Sequence, residues 1–427
     1  MTPAARLQAA IVLLSEIDSA PNRPADAVAH DFFRERRYIG SADRRAVSEQ
    51  VWRALRHWRR LGWWLHHAGI EDTPPLRIAV SLLLEGWTFE GVMQSYSGGQ
   101  YAPGRIAPAE AVRLRTLEGA TWAHPDMGDA VRFELPDWLL PLMQERFGTS
   151  LAHEMQAAGR EATLDLRVNL LKATREEALA ALREEGLEVS TTRYSPWGLR
   201  IVGRRPVTSG PAFRAGLVEI QDEGSQLLAS LVGATPEMRV ADYCAGAGGK
   251  TLAMAMTMHN RGHIVACDVS APRLEASARR LRRAGAHNVE THLLQPGDKW
   301  AKRRAGSFDR VLVDAPCTGT GTWRRNPDAR IRLAPRDLAE LVPKQAAILD
   351  AAAKLVKPGG RLVYATCSLL REENEAQVAE FLARNPIFRL APPSPLWPGH
   401  APEPLLVLTP LRHGTDGFFG AAMERAA

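Results

Sequence analysis

At 427 residues, 45% hydrophobic and 24% charged, the chain has the size and composition of a globular protein of two or three domains with sizeable cores. No apolar run reaches the length of a membrane span, and the first twenty residues place acidic groups inside their apolar stretch, unlike a secretory signal; a cytoplasmic protein without membrane contact is expected. The four cysteines, Cys244, Cys267, Cys317 and Cys367, form no CxxC pair and no zinc spacing, which argues against a disulfide framework or a bound metal. The formal charge of +6 suggests a polyanionic partner, and the excess lies beyond residue 130: residues 1–130 hold 15 Arg or Lys against 15 Asp or Glu.

From the start to about Glu118, apolar residues recur at helical spacing. Leu7, Ile11 and Leu14 mark one helix; Val47, Val51, Leu55 and Trp58 mark another that Ser41 is placed to cap; a third begins at TPPLRIAVSLLLEGW with Thr73 as its cap. Residues 1–130 therefore read as an all-helical domain, with Trp52 to Trp64 as a core stripe. The Pro- and Gly-bearing stretch from Thr121 to Pro136 reads as a linker. Two alternating strands, LDLRVNLL and GLRIVG, flank a helix opened by a capping box at Thr174, giving a small α+β subdomain over residues 137–213. From 214 to 427, apolar runs ending in MRVADY, HIVACD, FDRVLVDAP and GRLVYATC alternate with helical patterns. That order predicts a parallel α/β sheet with ligands at the carboxyl ends of its strands.

The first of these strands runs into ADYCAGAGGKT, where Gly246, Gly248 and Gly249 allow a tight turn and close ligand approach at a helix N-terminus. The spacing fails both the Walker pattern, whose first glycine falls at Cys244, and the dinucleotide fingerprint, whose last falls at Thr251. An acid ending the second strand, Asp268, suits a ribose diol. S-adenosylmethionine fits both features without requiring a pyrophosphate site.

A methyl donor gives the two cysteines beyond the later strands a task. C5 of a pyrimidine is a poor nucleophile until a thiolate adds at C6, so one of Cys317 and Cys367 becomes a covalent nucleophile and the other a group assisting release. Asp314 is placed to hydrogen-bond N3 of the ring.

The segments DYCAGAGGKT (Asp242 to Thr251), DAPCTG (Asp314 to Gly319) and TCS (Thr366 to Ser368) followed by Glu372, Glu373 and Asn374, with QDEGSQL at Gln221 and HGTDGFF at His413, resemble the Nop/Sun family of RNA (cytosine-5) methyltransferases. The resemblance covers roughly residues 140–427, and the helical domain ahead of it resembles the NusB-like RNA-binding domain of the RsmB branch. It implies a Rossmann-like class I methyltransferase domain that uses S-adenosylmethionine to methylate C5 of cytosine in RNA, with small-subunit ribosomal RNA as the expected substrate. Transfer RNA and a non-catalytic ribosome-assembly role stand as alternatives, and no obligate protein partner is implied. By the same resemblance Cys367 attacks C6 and Cys317 assists breakdown of the adduct. The implied cofactor contacts are Cys244, Ala245, Gly246, Ala247, Gly248, Gly249 and Lys250, with Asp268 on the ribose, Asp298 near the adenine and Asp314 at the boundary with the base. The family loop usually reads CAAPGGKT, so Gly246 and Ala247 here replace an Ala-Pro pair. Arg324 and Arg325 are expected to meet RNA phosphates.

Overall fold

The computed structural model describes residues 1–203, 206–392 and 404–427. These divide into two compact units, one of Met1–Gly159 with Trp323–Pro335 and one of Arg160–Thr322 with Arg336–Ala427.

The first unit is helical. Pro3–Asp18, Ser41–Arg56 and Pro74–Leu84 bury Leu13, Leu14, Val47, Val51, Ile78 and Leu82 in one core, because each sequence repeats its apolar residues every three to four positions. Ser41 is the first helical residue and Gly40 takes the cap position, while Thr73 stands at the cap position without a side-chain bond. Trp64 is buried, and Trp52, Trp58 and Trp63 pack against the same core, as a stripe on an amphipathic face should. The stretch read as a linker belongs to this unit: Met127 joins the core, and a short helix spans Asp129–Arg132. Its Pro and Gly content marks turns between packed residues, so the division expected near residue 130 falls inside the unit.

The segment Trp323–Pro335 also belongs to this unit. Trp323 is 1% exposed, Asp328 Oδ2 accepts from Ala25 N at 2.9 Å, and Arg330 donates to the Arg56 carbonyl at 3.0 Å. Arg324 is buried with its carbonyl held by the Arg56 guanidinium at 3.2 Å. The expectation that Arg324 meets RNA phosphate is thereby corrected: its run of basic residues looked like a surface, but the neighbouring tryptophan and the helix Pro327–Arg332 carry it inward.

The second unit holds two sheets. The smaller has β1 (Leu164–Val168), β2 (Val189–Thr191), β3 (Gly198–Ile201) and β4 (Val218–Ile220) in the order β2-β3-β1-β4, all antiparallel. The helix Arg175–Glu184 opens on the expected capping box, Thr174 and Glu177 exchanging bonds. Since β4 pairs with β1, this sheet continues past residue 213.

The larger sheet has β5 (Arg239–Asp242), β6 (His263–Asp268), β7 (Val289–Leu293), β8 (Phe308–Asp314), β9 (Val356–Thr366), β10 (Phe388–Leu390), β11 (Leu405–Leu408) and β12 (Phe418–Arg425). Its order is β10-β12-β9-β8-β5-β6-β7, with β11 on β12. The five strands β5 to β9 are parallel, whereas β12 is antiparallel to β9, so the sheet is mixed rather than wholly parallel. β5 pairs with β6 on one side and β8 on the other. The order in which strands are added reverses there, and the crevice beyond the carboxyl ends of β5 and β8 is where such sheets bind ligands. Among the described residues no helix is long and apolar enough to cross a membrane, and no cluster of His, Cys, Asp or Glu is placed to hold a metal.

Candidate active site

Beyond those strand ends lies a cavity of about 740 Å³, within the range of small-molecule sites. One wall is the glycine loop between β5 and the helix Gly249–Thr257, with Cys244, Ala245, Gly246, Ala247, Gly249 and Lys250 facing in. Asp268 and Asp314, the last residues of β6 and β8, complete the floor.

The loop is shaped by its glycines. Gly246 has φ +55° and Gly248 φ +79°, a left-handed conformation that costs other residues about 1–2 kcal/mol each. Gly246 N donates to Asp268 Oδ2 at 2.8 Å, and the other oxygen of Asp268 accepts from Ser270 N at 2.8 Å. The carboxylate expected for a ribose is thus fixed by two backbone donors. Where the family loop usually has Ala-Pro, the chain here turns left-handed at Gly246. Gly248 does not line the cavity; a Cβ there would meet the Ser277 side chain, so its task is close helix approach.

Lys250 reaches from the first helical turn to Asp314, Nζ to Oδ2 at 2.6 Å. Burial pushes the Lys250 ammonium down, but Asp314 outweighs it by charge and hydrogen bonding, so the group holds its proton above the ordinary lysine value. Cys367 contributes in the same direction, placing this cation within electrostatic reach of its sulfur. Beneath the loop, buried Asp242 accepts from Thr251 Oγ1 at 2.7 Å. Burial foremost pushes its carboxyl up to about 7, the Thr251 bond opposing and Asp314 adding to the shift.

The structure separates the four cysteines. Burial pushes the Cys244 and Cys267 thiols up, so both keep their protons; Cys267 is packed in the core, whereas Cys244 faces the cavity. Cys317, three residues past β8, and Cys367, the residue after β9, have their sulfurs 3.4 Å apart. The bond to Cys367 and then burial push the Cys317 thiol well above the ordinary value, while the contact itself lets either sulfur donate.

Asp298 does not join the cavity. Its carboxylate is held by His292 Nε2 at 2.5 Å and Trp300 N at 2.8 Å, and it borders a different hollow. The wall where the adenine was expected is formed by Leu294, Gln295 and Pro296, just past β7. Sequence reasoning also left Arg167 without a role. Fully buried, it donates to the Gly249 carbonyl at 2.7 Å and to Gln221, which lines the cavity. Asn169 binds the Gly216 and Ala284 carbonyls at 2.9 and 2.8 Å. QDEGSQL and LRVNLL therefore support the loop from behind.

A mixed sheet reversing at its first strand, a glycine turn clasped by the acid of the next strand and a cavity of this size define a Rossmann-like S-adenosylmethionine-dependent methyltransferase. The comparisons carry this further. Residues 229–424 match the model of the RsmB/F 16S rRNA methyltransferases, and residues 135–208 match the ferredoxin-like domain of RsmF/B-like methyltransferases. The chain is 37% identical over 304 residues to the probable ribosomal RNA small subunit methyltransferase B of Synechocystis, covering 69% of this chain and 68% of that one. It is 37% identical over 295 residues to the ribosomal RNA small subunit methyltransferase B of Klebsiella pneumoniae, covering 68% and 66%. The crystal structure of PH0851 superposes with a TM-score of 0.80 at 28% identity, covering 100% of this chain and 99% of that one. The chain belongs to the RsmB/F family of RNA methyltransferases, and S-adenosylmethionine is its methyl donor.

Proposed function

We propose that the protein methylates C5 of a cytosine in small-subunit ribosomal RNA through a covalent cysteine adduct. The observation that supports this best is the pair Cys317 and Cys367, sulfurs 3.4 Å apart at the ends of adjacent strands, beside the Lys250–Asp314 ion pair. In this reading the Cys367 thiolate adds to C6, and the displaced electron pair moves toward N3, which takes a proton that the Lys250 ammonium passes through Asp314 and gives it back once C5 is methylated. C5, now an enamine carbon, accepts the methyl group that the cofactor supplies. Loss of the C5 proton to a base then drives the electron pair back to restore the C5=C6 double bond and expel the Cys367 sulfur. Cys317, holding its proton, hands it to that leaving sulfur. Cys244, Ala245, Gly246, Ala247, Gly249, Lys250 and Asp268 hold the donor, and Asp314 lies where donor and base meet. Gly248 acts through the loop's shape, and Asp298 through the turn after β7.

Ribosomal RNA is preferred to transfer RNA because both relatives described above are named for the small subunit. The helical unit is read as a NusB-like RNA-binding domain, and the target base as flipped out of its stack, since a stacked cytosine hides C6 from a thiolate. Such an enzyme acts in the cytoplasm, where its substrate is made.

The test is bisulfite sequencing of unmethylated ribosomal and transfer RNA after incubation with the protein and S-adenosylmethionine. One protected cytosine in small-subunit RNA is expected, absent with Cys367→Ala although that variant still binds the cofactor. Cys317→Ala is expected to leave a denaturation-resistant protein–RNA adduct. Normal protection with Cys367→Ala would overturn the nucleophile assignment.

A further inference from the structure

Glu372, Glu373 and Asn374 follow the TCS segment in sequence, and the chemistry above gives them no task. Two of them are fully buried next to it. We propose that Glu373 and Asn374 are positioning residues that hold the two cysteine loops separately, one residue for each loop. This inference rests on the reading of Cys367 as nucleophile and Cys317 as the group that assists release.

The geometry is reciprocal. Glu373 Oε1 accepts from Thr318 N at 2.8 Å and Oε2 from Thr318 Oγ1 at 2.5 Å, gripping the residue after Cys317. Gln345 Nε2 donates to Glu373 Oε1 at 2.9 Å and to the Pro316 carbonyl at 2.9 Å, gripping the residue before it. Asn374 treats the other loop in the same way. Its Oδ1 accepts from Thr366 Oγ1 at 2.5 Å and its Nδ2 donates to the Ser368 carbonyl at 2.9 Å, so both neighbours of Cys367 are tied.

Two adjacent residues serve different loops because the backbone turns between them. The short helix Arg371–Glu373 ends at Asn374, whose φ −117° and ψ −100° are not helical, before Glu375–Arg384 begins. The Tyr364 hydroxyl, from within β9, donates to the Glu373 carbonyl at 2.7 Å and fixes this turn to the sheet. Buried groups that satisfy all these donors hold a loop rigidly, and a thiol acting on a base needs that rigidity. The loops also meet directly, Gly321 N donating to the Cys367 carbonyl at 2.9 Å and Leu369 N to Thr320 Oγ1 at 2.8 Å, so the turn adds one grip on each cysteine to a contact the loops already share.

Separate grips predict separate failures. Glu373→Ala frees the Cys317 loop, so methyl transfer proceeds while release slows, and a covalent RNA adduct through Cys367 accumulates at least tenfold over wild type. Glu373→Gln keeps an acceptor for Thr318 N and restores most of the turnover. Asn374→Ala frees the Cys367 loop, so adduct and methylated product fall together, tenfold or more. Affinity for S-adenosylmethionine, measured by calorimetry, stays within about twofold in all three and reports folding. If Glu373→Ala fails to fold, Thr318→Val carries the test: it removes the hydroxyl that Glu373 Oε2 holds and should raise the adduct, whereas Glu373→Gln should leave the adduct near the wild-type level.

A second readout needs no RNA. With diamide as oxidant, the Cys317–Cys367 disulfide is followed by mass spectrometry; wild type closes it fast and both alanine variants at least tenfold more slowly. Unchanged closure in both would overturn the proposal whatever the nucleophile. Slowed closure with no adduct in any variant would leave the grips standing and remove the covalent reading instead. Identical behaviour of the Glu373 and Asn374 variants, in RNA and in oxidation alike, would overturn the division between the loops.

Discussion

Asp242 ends β5 under the glycine loop, 1% exposed, with its carboxyl pushed up to about 7 chiefly by burial. An unfolded chain releases that proton near the ordinary value of 3.8. Between these limits the folded state binds the extra proton, so the contribution of Asp242 to stability falls as pH rises from about 4 to 7 and is level above. Asp242→Asn removes the titration. Its stability relative to wild type should therefore rise across that window by on the order of 4 kcal/mol, read by urea unfolding from pH 4 to 8. A difference independent of pH would show that the carboxyl ionises normally. Cys317 and Cys367 were legible in sequence because each follows an apolar run that can only be a central strand. Asp298 was not, since the direction of a side chain after β7 depends on the turn through Leu294, Gln295 and Pro296. Arg167 was hidden for another reason: a guanidinium inside a strand reads as surface until its carbonyl partner at Gly249 is seen.

Among the elements, the glycine loop separates two costs that are usually mixed. Gly246 and Gly248 are both left-handed, but a Cβ on Gly246 would meet no atom within 4 Å, whereas one on Gly248 would strike Ser277. Gly246→Ala should lower stability by about 1–2 kcal/mol, the conformational cost alone. Gly248→Ala should cost more and displace the helix Gly249–Thr257, weakening S-adenosylmethionine binding further than Gly246→Ala does. Urea titration and calorimetry on both variants decide it, and equal losses would mean that the approach to Ser277 is loose. The strands β5, β6, β8 and β9 were legible as unbroken apolar runs, which is how strands covered on both faces must look. β7 escaped because VETHL, at the sheet edge, is half polar. The antiparallel β12 escaped because residue alternation does not reveal strand direction.

On the scale of the whole chain, Asp328 joins residues far apart in sequence. Its carboxylate takes the N–H of Ala25, the first residue of a helix whose own cap position is Pro24 and offers no side-chain acceptor. Asp328 is therefore the N-terminal cap of Ala25–Glu35, supplied from 303 residues away. Asp328→Ala should destabilise the helical unit by about 1–2 kcal/mol and Asp328→Asn by much less, checked by thermal unfolding. Equal stability of the alanine variant and wild type would reduce this bond to an incidental contact. The helical character of the first unit was legible in sequence from its apolar period; the membership of Trp323–Pro335 was not, because nothing in a chain's local pattern announces which distant core a segment will join.

That membership has a bearing on how such proteins can be recombined. The backbone passes from one unit to the other three times, after Gly159, Thr322 and Pro335. The helical part is thus no appendage that a gene could gain or lose by fusion at one junction. Exchanging it for that of a relative would require the donor's counterpart of Trp323–Pro335 to be grafted in as well, a few residues beyond Cys317, so engineering must treat the two segments as a single block.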